Sequence, residues 1–76
     1  MSYLIFSANL IKIRHKMKMS QQQFADGLGV NIKRVMAWEE GRAYPKVSMM
    51  IQLADFIGEK NIYDLVTKKI ETKKPF

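Results

Sequence analysis

The chain contains no cysteine and one histidine, His15, among its 76 residues. Without thiols it has neither a disulfide framework nor a thiolate zinc site, which fits a reducing compartment and makes the cytoplasm the expected location. A lone imidazole among lysines, with no second histidine, assembles neither a catalytic dyad nor a metal site. A glycine-rich phosphate loop is also missing, since Gly27 and Gly29 belong to a helical pattern and its end. The apolar run Tyr3, Leu4, Ile5, Phe6 is too short for a membrane span or for the core of a signal peptide, and no Lys or Arg precedes it. Acidic side chains are scarce: 7 Asp and Glu stand against 13 Lys and Arg, a formal charge of +6. That imbalance suits a polyanionic partner, whether DNA, RNA or an anionic membrane surface. A chain this short forms one domain, buries only roughly 60% of the surface its unfolded form exposes, and has no room for a deep catalytic cleft. No enzymatic activity and no cofactor are expected.

Clean two-residue alternation is lacking after the first residues, and the apolar spacing is helical almost throughout, so the expected class is all-α. Residues 1–6 read as an apolar arm, 7–66 as a helical core and 67–76 as a charged tail that Pro75 keeps from continuing as helix. Ser7 is the expected N-cap of a first helix with Leu10, Ile13 and Met17 on its inner stripe. Ser20 caps a second helix that buries Phe24, Ala25 and Leu28 and ends at Gly29. Asn31 caps a third, with Val35 and Trp38 facing inward, Val30 packing just ahead of them, and Gly41 as its stop. Pro45 disfavours helical geometry at Tyr44 and is placed to start a fourth helix, which buries Met50, Leu53, Ala54 and Ile57 and closes at Gly58. Asn61 and Asp64 cap a short fifth helix through Ile62, Leu65 and Val66. Met49 and Met50 suit an adaptable core better than a cofactor box.

The connection from the second helix to the third spans only about residues 29–31. So short a turn forces the helices to cross steeply, the geometry of a helix-turn-helix, whose later helix lies in the major groove of a duplex. Ala25 fits this crossing, because a larger side chain would push the helices apart. Trp38 fills the core of so small a domain, and its burial contributes roughly 3 kcal/mol or more.

With these pieces in place, the chain resembles the phage repressor and Cro type of helix-turn-helix protein, the xenobiotic-response-element family. The resemblance runs from about Leu10 to Val66. It is carried by Ile13 and Arg14, then Ser20, Gln21, Phe24, Ala25, Leu28, Gly29 and Val30, then Val35, Trp38, Glu39 and Gly41, then Pro45, Leu53, Ala54 and Gly58. It implies a compact five-helix, lambda-repressor-like domain that binds double-stranded DNA as a transcriptional repressor or regulator. It also implies an ion pair between Arg14 and Glu39, and a phosphate contact from Gln21, where the helix N-terminus adds N–H donors. By the same resemblance Ile32, Lys33 and Ala37 fall on base-reading positions, with Arg34 beside them.

Lysine donates to the O6 and N7 acceptors of guanine, which makes Lys33 the leading polar base contact. Arg34 has the same chemistry with longer reach, and whether it reads a base or grips a phosphate stays open. Ile32 and Ala37 sense only a thymine methyl or the fit of the groove, a departure from the polar residues the family often uses. Arg42 and Lys46, flanking the loop after the third helix, are further phosphate contacts, and Tyr44 adds a hydroxyl; such contacts position a protein without reading sequence. Lys12, Lys16 and Lys18 form a basic cluster that either reaches the flanking backbone or is simply solvated. Two more departures are Lys18, where the family often has glycine, and one extra residue between Gly58 and Asp64.

A single module buries little surface, so a homodimer on two half-sites about 34 Å apart is expected. Residues 3–6 and the segment around Ile62, Tyr63 and Val66 are the candidate dimer surfaces, unless the arm packs on the fifth helix instead. The alternative function is protein recognition, as an antitoxin masking a toxin or as an adaptor. RNA binding is disfavoured because no exposed aromatic platform is evident.

Overall fold

A computed structural model describes residues 3–58 of the chain, with side chains from residue 5. Among the described residues there are four α-helices and no strand: α1 (Tyr3–Lys16), α2 (Gln21–Leu28), α3 (Ile32–Glu39) and α4 (Val47–Ile57). The all-α class agrees with the sequence. The expected fifth helix, the tail and the dimer segment around Ile62 lie outside the described residues.

The first helix departs from expectation at its start. Ser7 does not cap it; α1 begins at Tyr3, so residues 3–6 form its first turn rather than an arm. Phe6, Leu10 and Ile13 then recur at i, i+4 and i+7 on the buried stripe. Ser7 is itself buried, and its hydroxyl donates to the backbone carbonyl of Trp38 on α3. A serine inside a helix is tolerable when its hydroxyl finds such a partner. Asn9 is fully buried as well, and among the described residues every buried side-chain N or O atom is satisfied.

Both expected caps of the central helices are present. Ser20 Oγ accepts from the Gln23 N–H at 3.0 Å while Gln23 Oε1 accepts from the Ser20 N–H at 2.8 Å, a reciprocal capping box. Asn31 Oδ1 accepts from the Lys33 N–H at 2.8 Å. The start of α4 needs a correction, because Pro45 does not open it. Pro45 lies buried two residues ahead, and Lys46 holds the cap position in extended geometry (φ −67°, ψ 163°) without a side-chain hydrogen bond.

The core gathers Phe6, Leu10 and Ile13 from α1, Phe24 and Ala25 from α2, Val35 and Trp38 from α3, and Met50 and Leu53 from α4. Trp38 is only 2% exposed, as a residue of its size in so small a core should be. Two edge-on ring pairs close the sides: Tyr44 against Phe6 and Phe56 against Phe24, each with centroids 5.2 Å apart. The Phe56 ring also lies over Gly27, where an added Cβ would come within 2.7 Å of its Cζ.

Candidate nucleic-acid interface

The turn between α2 and α3 is built from three residues with separate tasks. Gly29 takes the left-handed conformation at φ 84°, which lets its N–H and that of Val30 both reach back to the Ala25 carbonyl, at 2.8 and 3.0 Å. Half-buried Val30 packs against the core, and Asn31 caps α3 at once. The reversal is therefore tight, and α3 starts with its first turn at the surface.

On α3 the core-facing stripe is Val35, Trp38 and Glu39, all buried. At about 100° per residue, Lys33 and Ala37 point opposite that stripe. Lys33 is exposed and Ala37 half-buried. Ile32 is less available than the sequence suggested, because it is half-buried and packs against the core at the edge of the outward face. Arg34 is exposed, with its guanidinium carbon 5.6 Å from the centroid of the Trp38 ring one turn further on. Stacking there holds a cation along the flank of α3.

A buried polar network ties this helix to the scaffold. Arg14 Nε donates to Glu39 Oε2 at 2.6 Å and Arg14 Nη2 to Glu39 Oε1 at 3.1 Å, a bidentate pair between α1 and α3. Arg14 Nη1 also donates to the Met19 carbonyl at 2.9 Å, in the turn before α2. Gln21 Nε2 donates to Glu39 Oε1 at 2.9 Å. One carboxylate thereby fixes α1, the first residue of α2 and the end of α3. The Arg14–Glu39 pair matches the reading of the sequence. The Gln21 bond was not foreseen, and it fixes the amide that the resemblance aims at a phosphate.

Two more candidate phosphate contacts, Arg42 and Lys46, follow α3 along the chain. Arg42 is exposed, and its Nε pairs with Glu40 Oε1 at 2.6 Å. Its backbone N–H donates to the Ala37 carbonyl at 2.9 Å, so its main chain is anchored at the C-terminal end of α3. Lys46 is exposed at the start of α4, and Tyr44 is half-buried against Phe6. None of the four helices has an acidic residue of its own in its first turn, although Glu39 brings a carboxylate to the first residue of α2.

A helix-turn-helix family model matches residues 10–65, most of the chain, and spans every element just described except the first turns of α1. The chain belongs to the Cro/C1-type, xenobiotic-response-element helix-turn-helix family. No curated protein and no solved structure matches it. As a member of this family it binds double-stranded DNA and acts in transcription regulation. Among the described residues no helix is long and apolar enough to cross a membrane. Within the helix-turn-helix, sequence reasoning missed the Glu40–Arg42 pair, although an acid and a base flanking Gly41 were its visible signal.

Proposed function

We propose that this helix-turn-helix protein is a sequence-specific repressor that occupies an operator as a homodimer, with α3 in the major groove. Lys33 and Arg34 supply the polar base contacts, while Ala37 and the accessible edge of Ile32 meet thymine methyls or the groove wall. Gln21, Arg42, Tyr44 and Lys46 hold the phosphate backbone. The observation that carries this reading is the outward face of α3. Lys33 and Ala37 lie opposite the buried stripe with Arg34 on the flank, on a helix whose orientation the Arg14–Glu39–Gln21 network sets. Gln21 retains its backbone N–H and a second amide hydrogen for a phosphate. Buried Phe6 is withdrawn from the candidate dimer surface.

Selection of bound duplexes from a random pool at moderate salt tests the proposal. It should enrich a two-fold symmetric motif with half-sites about 34 Å apart. A pool without an enriched motif contradicts it and favours the second reading, protein recognition as an antitoxin or adaptor. That reading has one observation of its own: Val47 and Ile51, one turn apart on α4, are 77% and 53% exposed.

A further inference from the structure

Two glutamates end α3, and each meets an arginine at 2.6 Å, yet the two pairs have opposite physical character. In the Arg14–Glu39 pair the side chains are 11% and 5% exposed, so the contact is shielded from water. In the Arg42–Glu40 pair they are 60% and 53% exposed, and such surface pairs hold weakly and exchange readily. Apart from Arg42, the position of Glu40 is electrostatically unfavourable. It carries a negative charge at the C-terminal end of a helix, where the dipole disfavours anions, and no basic residue in the last turn of α3 compensates. It places one of the few acids of a +6 chain beside a cation assigned to phosphate.

We propose that Glu40 limits the DNA affinity of this protein by occupying Arg42 in the free state, so that a duplex phosphate must displace a carboxylate before it can be gripped. The main chain of Arg42 is fixed by its bond to the Ala37 carbonyl, and only the side chain has to swing from one anion to the other. Both anions accept from the same guanidinium, so the exchange needs no change of fold. Because the phosphate contact carries no sequence information, Glu40 lowers affinity for every duplex alike and leaves the preference between sequences unchanged. A regulator with this device is released more readily from its operator and from non-specific DNA alike.

The inference rests on the phosphate role of Arg42 given above, and a double-mutant cycle separates the two. Duplex affinities of the intact chain and of Glu40→Gln, Arg42→Ala and the double variant are measured at one salt concentration, on a selected and a scrambled duplex. Glu40→Gln keeps the side-chain shape; matching far-UV circular dichroism and Trp38 emission establish that all four proteins are folded. Glu40→Gln should tighten binding about two- to fivefold on both duplexes, a range set by the weakness of exposed ion pairs. In the Arg42→Ala background the same change should have little effect. An unchanged or weakened affinity of Glu40→Gln overturns the inference, as does an equal gain in both backgrounds, which would make Glu40 a distant repulsive charge. Arg42→Ala with undiminished affinity removes the phosphate contact itself, and the inference with it.

Discussion

Lys18 adopts a backbone conformation that the other three helix ends give to glycine. It has φ 60°, while Gly29, Gly41 and Gly58 lie between 75° and 84°. The bonds that demand this geometry are present: the Lys18 N–H donates to the His15 carbonyl at 3.0 Å and the Met19 N–H to the Arg14 carbonyl at 3.3 Å. A left-handed residue with a Cβ costs about 1–2 kcal/mol, partly offset by the greater unfolded entropy of glycine. Lys18→Gly should therefore stabilise the domain by about 1 kcal/mol in urea unfolding followed by Trp38 emission; a loss of stability would show that the lysine side chain contributes more than its backbone costs. The mirror experiment is Gly29→Ala. Nothing lies within 4 Å of the added Cβ, so only the backbone penalty remains and a loss of about 1 kcal/mol is expected. Glu39 belongs to another class of residue. Truncating it leaves the Arg14 guanidinium buried without its counter-charge, and Glu39→Ala should cost roughly 3 kcal/mol or more, a large share of the stability of so small a domain. Unaltered urea unfolding of that variant would refute the scaffold role of the network.

At the scale of the element, α4 begins poorly for a helix and well for a DNA-binding protein. Lys46 occupies a cap position where Ser, Asp or Asn would accept an N–H, and its charge opposes the helix dipole. Lys46→Asp should raise stability by about 1 kcal/mol through capping and weaken duplex binding, as read by thermal unfolding and fixed-salt titration. Tighter binding would remove Lys46 from the phosphate contacts. The same helix start shows how far local sequence reaches. Ser20 and Asn31 announce their helices because the capping atom sits in the residue itself, and Gly29, Gly41 and Gly58 announce ends for the same local reason. Lys46 carries no such atom, so Pro45 was the only visible marker and placed the start two residues early. Ser7 looked like a cap because its partner, the Trp38 carbonyl, is 31 residues away. Gln21 likewise finds Glu39 across 18 residues, a contact that no pattern along one helix encodes. Of the candidate site, the outward direction of Lys33 and Ala37 followed from helical periodicity. The partial burial of Ile32 depends on the elements packed around α3 and was hidden from it.

For the whole molecule, the excess of positive charge and the absence of acids from every described first helical turn act together on a polyanion. If about four phosphates are neutralised per domain, the logarithm of the duplex association constant should fall with the logarithm of salt at a slope of about −4 for each bound domain, and about twice that for the homodimer. A slope near zero would contradict an interface built on phosphate contacts. Val35, Trp38 and Glu39 hold the fold on the buried side of α3, while Lys33 faces away from the core and Arg34 lies on the flank over Trp38. Base reading by α3 is tested by the affinity of Lys33→Ala/Arg34→Ala for the selected duplex and for a scrambled one, beside the intact chain. The double variant should remain folded and lose its preference for the selected duplex by roughly ten- to a hundredfold, the scale of one or two base contacts. A folded variant that keeps the full preference would show that α3 does not read the sequence through these residues.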